Sequence, residues 1–316
     1  MPPFPKPKFP FDYDVAAELA ALRAHKLLRG LPARGPATLL LATWNVANFG
    51  EQQRDDRAHR LLAEILSWFD VVALQEVKDN YGPLFDVARG MGPDYRVLMS
   101  DIAGNGERAA FIYDAGKVKL LEKIGEIALP PSDLKHVRLP GVSGRFEGFD
   151  RSPYLGSFAV GIFSFLLVNV HLFFGSDASQ VDVDRRTLET YAVARWANRR
   201  DQSAFVFTRN IIVLGDFNMP KTDPNDPIFK ALTKLGLELP DHSTQIASAI
   251  ASDHHYDQIA FLPGKAKQAF TGRRGVFDYD GVIFRSLWQT RPAKDFKAYC
   301  RYYISDHRPM WVEFRV

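Results

Sequence analysis

The feature that most constrains the fold is a set of apolar runs, each cut off by a polar or glycine residue. In Ile211-Ile212-Val213-Leu214-Gly215-Asp216-Phe217-Asn218, four apolar, mostly β-branched residues read as a buried strand. Gly215 breaks it, and Asp216 and Asn218 follow with one residue between them. Alternate residues of an extended chain point the same way, so a carboxylate and an amide are expected to face one spot. Leu39–Val46 and Val71–Glu76 behave alike and end at Asn45 and Glu76. The stretch 154–172 reads as two adjacent strands, the second closing with Asn169-Val170-His171. Tyr256–Leu262 and Met310–Phe314 complete the set, the last expected to alternate inward and outward.

Helical spacing appears between these runs. Asp55–Trp68 presents Ala58, Leu61, Leu62, Ile65 and Leu66 on one face. Asp182–Asn198 buries Leu188, Tyr191, Ala192 and Trp196. A shorter helix is predicted over Pro83–Gly90, and Asp226-Pro227 starts another with a cap followed by proline. Tyr95–Met99 and Arg108–Tyr113 read as further strands, and residues 130–148 as an irregular excursion. Strands interspersed with a few helices, without a composition break after residue 37, predict one α/β sandwich-like domain over 38–316. Residues 1–37 form an appendage. Five prolines in 2–13 enforce an extended arm, and Asp14 caps a short helix that buries Val15, Leu19 and Leu22.

Composition bounds the surroundings. The chain is 46% hydrophobic with 24 phenylalanines, enough for a large packed core. A net charge of +3 is compatible with a polyanionic substrate and too mild to demonstrate one. Cys300 is the single cysteine, so no intrachain disulfide can form and a reducing compartment is favoured. The segment MPPFPKPKFPFDYD lacks an apolar signal-peptide core. The expected location is therefore cytoplasmic, with no membrane and no obligate protein partner.

The polar residues at or beside strand ends are Asn45, Glu76, Glu107, His171, Asp216, Asn218, Asp257, Asp306 and His307. Each has a plain explanation alone, such as a turn residue or a satisfied core histidine. Together they suggest one shared rim. The ordered set Trp44-Asn45, Leu74-Gln75-Glu76, Asn169-Val170-His171, Gly215-Asp216-Phe217-Asn218 and Ser305-Asp306-His307-Arg308-Pro309 resembles the endonuclease/exonuclease/phosphatase superfamily, nearest to its deoxyribonuclease I-like branch. That resemblance implies a four-layered α/β sandwich, two packed and mainly antiparallel sheets flanked by helices. It also implies Mg²⁺-dependent hydrolysis of phosphate esters, with Mn²⁺ as a substitute.

The residue types suit that chemistry on their own terms. Phosphodiester hydrolysis needs a hard cation with oxygen ligands, a base for water and donors for developing charge. Glu76 is the expected metal ligand, assisted by Asn45 and Asp306. His307 is the expected general base, with Asp257 holding its tautomer. Asp216 and Asn218 would position water and phosphate. The segment Gly106–Tyr113 is similar to one in which a glutamate orients a second histidine, implying a Glu107–His171 pair. By the same resemblance Arg151 of Arg151-Ser152-Pro153, together with Arg108, would contact a substrate phosphate.

The expected function is a DNA endonuclease of low sequence specificity, its partner a nucleic acid and foremost DNA. The alternative is a phosphatase or phosphodiesterase for a small ester such as an inositol phosphate or lipid head group. The loop Lys221–Asp226, with one base against two acids, offers little grip for DNA. Arg273, Arg274 and Arg285 are further phosphate candidates.

Overall fold

The computed structural model describes residues 3–240 and 246–316. Eleven strands are present among them: β1 (Thr38–Phe49), β2 (Val71–Val77), β3 (Tyr95–Met99), β4 (Arg108–Asp114), β5 (Lys119–Glu126), β6 (Tyr154–Val160), β7 (Phe163–His171), β8 (Ile211–Asp216), β9 (Asp257–Phe261), β10 (Phe270–Val276) and β11 (Met310–Arg315). They form a six-stranded sheet in the order β10-β11-β1-β2-β4-β3 and a five-stranded sheet in the order β5-β6-β7-β8-β9. Only the pairs β1–β2 and β7–β8 are parallel. The expected architecture of two mainly antiparallel sheets flanked by helices is what the chain adopts.

Strand alternation separates three layers of core. Leu39 and Leu41 of β1 face Phe165 and Leu167 of β7 and Ile212 and Leu214 of β8 across the space between the sheets. The intervening Leu40, Ala42 and Trp44 pack outward beneath α1 (Val15–Leu28), α2 (Asp56–Leu66) and α3 (Gly82–Met91). On the far side, Val168, Val170, Ile211 and Val213 pack under α5 (Gln180–Asp201) and α6 (Pro227–Thr233); α4 (Pro131–Leu134) is a single turn between β5 and β6. Three short helices, α7 (Lys265–Ala269), α8 (Arg285–Thr290) and α9 (Ala293–Tyr303), fill the stretch before β11.

Several expectations need correction. Met310–Phe314 does not alternate between core and solvent. All five residues are buried, with Met310, Val312 and Phe314 in the central core and Trp311 in the outer one. The strand is sandwiched, so its alternation distinguishes two apolar layers. β1 runs beyond Asn45 to Phe49 through an irregular register. β5, β10 and α7–α9 were not foreseen. β5 and β10 are sheet edges with half-exposed sequences, KLLEKIGE and FTGRRGV, which lack the periodic apolar signal.

The N-terminal arm docks. Phe9, Phe11, Tyr13 and Leu19 pack against the outer core of the six-stranded sheet, and Asp14 accepts a hydrogen bond from Ala16 N at the start of α1. Among the described residues no helix is long and apolar enough to cross a membrane.

Candidate active site

The two parallel pairs fix where the polar strand ends go. In a parallel pair the C-terminal ends coincide, and an antiparallel neighbour begins where they end. His171 of β7 is therefore in register with Asp216 of β8, which is in register with Asp257 at the start of β9. On the other sheet Asn45 is in register with Gln75, next to Glu76. β4 enters beside β2 just after Glu107, and β11 enters beside β1 just after His307. The two sheets share one rim, and a cleft of about 560 Å³ opens along it.

Asn45 joins the halves. Its Nδ2 donates to Glu76 Oε1 and to Asp216 Oδ2, both at 3.0 Å. Beneath it, Gln75 Nε2 donates to Asn169 Oδ1 of the other sheet at 2.7 Å. Asn169 Nδ2 in turn donates to the carbonyls of Leu74 and Ala110.

Two carboxylate–imidazole pairs flank Asp216. His307 Nδ1 lies 2.7 Å from Asp257 Oδ2 and, facing a carboxylate, is the donor. His307 Nε2 lies 3.9 Å from Asp216 Oδ2. His171 Nδ1 lies 2.9 Å from Glu107 Oε2, close without being aligned as a hydrogen bond. Its Nε2 lies 3.7 Å from the same Asp216 oxygen. One carboxylate oxygen thus stands between the free nitrogens of two backed imidazoles.

Protonation follows from these neighbours. Burial disfavours an imidazolium at His307, but Asp257 and then Asp216 and Asp306 outweigh it and raise His307 well above its ordinary value. Burial would raise Asp216, yet His307, His171 and the Asn45 amide hold it below the usual carboxylate range. Burial would likewise raise Glu107, but His171, Arg151 and Lys78 bring it down to about 2. Asp306 is raised, first by burial and then, against the pull of His307, by the facing Glu76.

The donor set fits a hard divalent cation. Glu76 and Asp306 both line the cleft, and Asn45 Oδ1 is buried without a hydrogen-bond partner. An orphaned amide oxygen beside crowded carboxylates is what an oxygen-ligated cation satisfies. Glu76, Glu107 and His171 also present ligand-type atoms within 4.8 Å of one another, as do Asp216, Asp257 and His307. In both groups the histidine already faces its own carboxylate.

Backbone strain concentrates at the rim. Glu76 has φ 61°, Asn48 φ 48° and Asn218 φ 51°, a region costly for residues other than glycine. The turn at Glu76 lets Asn48 N donate to its Oε2 at 2.8 Å. Asn218 corrects the extended-chain expectation. β8 ends at Asp216, whose Oδ1 accepts from Asn218 N at 2.8 Å in a tight turn. Asn218 still lines the cleft, and its Nδ2 donates to Leu172 O at 2.8 Å.

The two predicted arginines part company. Arg151 lines the cleft, with its Nε 3.0 Å from Glu107 Oε2 and its Nη1 on the carbonyls of His171 and Leu172. Its contact with Asp150 at 3.1 Å is therefore no surface pair. Arg108 turns to Asp79, 3.2 Å away, and is not among the cleft-lining residues. Arg108 does line a small adjoining pocket together with Glu107, Arg151 and His171. Arg273, Arg274 and Arg285 lie on β10 and α8, likewise off the cleft lining.

Several supporting residues were not anticipated. Arg186, fully buried on α5, donates to Asn218 O at 3.0 Å. One turn on, Glu189 accepts from the backbone of Asp150 and Phe173, and burial pushes its carboxyl up to about 7. Trp44 Nε1 and Tyr279 Oη hold the His307 carbonyl. Ser305 Oγ donates to Asn45 O and accepts from His307 N. The available signal was charge at positions 186 and 189, inside a helix whose apolar pattern marks it as packed.

A family model described as the Endonuclease/Exonuclease/phosphatase family matches residues 42–307. No curated protein matches the chain by sequence. Among solved structures, TDP2 from D. rerio in complex with a single strand DNA product is similar at 15% identity and a TM-score of 0.57, covering 88% of this chain and 99% of that one. A mannosyl-6-phosphatase from Bacteroides thetaiotaomicron is similar at 16% identity and a TM-score of 0.55, over 88% and 100%. The human Nocturnin catalytic domain is similar at 17% and 0.55, over 88% and 93%. At such identities the likeness speaks for the fold.

Proposed function

Because the chain belongs to the Endonuclease/Exonuclease/phosphatase family, we propose that it is a divalent-metal-dependent phosphodiesterase acting on nucleic acid, foremost DNA, with little sequence preference. The observation that carries this reading is the placement of two imidazole Nε2 atoms 3.7 Å and 3.9 Å from one Asp216 oxygen, each ring backed by its own acid. That arrangement suits moving a proton on either side of one phosphate.

In this reading His307 in its neutral form, which its raised pKa shifts toward alkaline pH, takes the proton of the attacking water at Nε2, while Asp257 keeps the other ring proton on Nδ1. Asp216 orients the water through the same oxygen that Asn45 fixes. His171, held by Glu107, supplies a donor to a phosphoryl oxygen as charge develops. Arg151 holds the Glu107–His171 pair and borders the phosphate. Glu76, Asn45 and Asp306 would hold Mg²⁺ or Mn²⁺, which supplies Lewis-acid polarisation of the phosphoryl oxygen when bound.

A second reading, a small phosphate ester as substrate, is favoured by one observation. Arg151 is the single lysine or arginine lining the cleft among the described residues, whereas a long DNA track is held by several phosphate contacts. Incubation of the protein with supercoiled plasmid in Mg²⁺, Mn²⁺ or EDTA, beside Glu76→Ala, tests the choice. Metal-dependent nicking absent from the variant supports the nuclease. Intact plasmid with turnover of small phosphodiesters selects the second reading.

A further inference from the structure

The arm that precedes the family region reaches the cleft at Phe4. Phe4 lines it together with Glu76, Asp306 and His307. Its placement is built rather than incidental. Phe4 N donates to Gln52 Oε1 at 3.1 Å, and the buried Gln52 donates through Nε2 to the carbonyls of Arg301 and Tyr302 at 3.3 Å and 2.8 Å. The Arg301 guanidinium lies 4.9 Å from the Phe4 ring centroid.

Behind Phe4 the arm forms neither helix nor strand up to Asp14, as its prolines favour. Phe9, Phe11 and Tyr13 are half-buried, and Lys8, Pro10 and Asp12 between and beside them are exposed. Phe11 sits edge-on to Tyr299 at 5.1 Å and to Phe284 at 5.8 Å. Tyr13 meets Phe284 at 4.9 Å. Arg291 covers Phe9 at 4.2 Å and Arg57 covers Tyr13 at 4.4 Å. Four aromatic or cation anchors therefore set how far the arm reaches, and Phe4 is what it delivers. The other Phe and Tyr side chains lining the cleft are Phe173, Phe174 and Tyr256, with Phe174 41% exposed.

We propose that Phe4 is a specificity-determining residue, a stacking wall carried on the N-terminal arm that selects phosphoesters bearing a planar ring beside the scissile phosphate. This rests on the phosphodiesterase reading above and names the recognised part of the substrate. An aromatic side chain next to exposed Lys6 and Lys8 is the combination that grips unstacked bases and the phosphates between them. A nucleobase and a small aryl ester share this chemistry.

The test compares full-length wild type, Phe4→Ala and Phe4→Trp on three probes: a single-stranded oligothymidylate, its abasic counterpart with the same phosphates, and bis(p-nitrophenyl) phosphate. Binding of both oligonucleotides is also measured in Ca²⁺ by fluorescence anisotropy. Phe4→Ala is expected to raise KM and Kd for the base-bearing strand about fivefold to a hundredfold, the range for losing one base stack. It should leave kcat and the abasic strand within twofold, and Phe4→Trp should restore the wild-type values. The same loss seen only on the aryl ester supports the proposal with a small ring as the ligand. Equal loss on the abasic strand, or no loss on any probe, overturns it. Base-dependent binding that Phe4→Ala abolishes, without cleavage in any metal, would leave the stacking wall standing and defeat the phosphodiesterase reading instead.

Discussion

Asn45 Nδ2 and Asp216 Oδ2 lie 3.0 Å apart, and that bond joins the six-stranded sheet to the five-stranded one at the floor of the cleft. The same nitrogen reaches Glu76, so a single amide locates both carboxylates. Asn45→Ala leaves buried Asp216 short of one donor. A loss of about 1–3 kcal/mol is expected, with activity down by about 10–100-fold as for other supporting residues of a metal site. Denaturant melts and kcat/KM on one phosphodiester measure the two effects.

The paired histidines set the second prediction. His307→Ala and His171→Ala should each lower kcat at least about a hundredfold, the usual contribution of a positioned acid or base. Asp257→Asn should act through His307 by releasing its tautomer. Circular dichroism checks that the variants fold, and full turnover in either histidine variant would refute the assigned roles.

Metal binding is measurable without turnover. A cation at Glu76, Asn45 and Asp306 binds the folded chain only, so Mg²⁺ or Mn²⁺ at a hundred times Kd should add about 2.7 kcal/mol of stability. EDTA should remove the gain, and Glu76→Ala should never show it. An unchanged melting temperature across that titration would argue against this ligand set.

Gly215 has φ 141°, and a Cβ there would lie 2.0 Å from the carbonyl oxygen of Val170. Backbone cannot yield as a side-chain tip can. Gly215→Ala must push β7 and β8 apart beside His171 and Asp216. A cost of at least about 1–3 kcal/mol is expected from the strained conformation alone, along with lost activity. A variant as stable and active as wild type would contradict this close approach.

Glu107 makes stability depend on acid. Its carboxyl is lowered from 4.5 to about 2, so between those values the unfolded chain binds the proton and the folded chain does not. The stabilisation is complete above about pH 4.5 and is lost as pH falls toward 2, worth at most about 3 kcal/mol. The stability gap between wild type and Glu107→Gln should therefore narrow on acidification through that window. A gap independent of pH would show that the charge of Glu107 contributes nothing.

What was legible in the sequence follows from how each residue announces itself. Asn45, Glu76, His171 and Asp216 each close an apolar run, and strand ends that share a rim must meet. The pairing of Glu107 with His171 needed the resemblance, since no local pattern links positions so far apart. Arg186 and Glu189 stayed hidden because a charged residue on a helix reads as solvated unless the second layer packed on it is known. β5 and β10 were invisible for a related reason. An edge strand with one wet face carries half the apolar signal, and glycine and arginine in β10 dilute it further.

Gln75 and Asn169 meet inside an otherwise greasy slab. Apolar layers attract without direction and would tolerate a slide of two residues along either strand, which keeps each side chain on its own face. That slide would strand two amides in oil, at a few kilocalories per mole. The bond therefore acts as an indexing pin that holds the alignment of the two halves where the surrounding hydrophobes alone would let it slip.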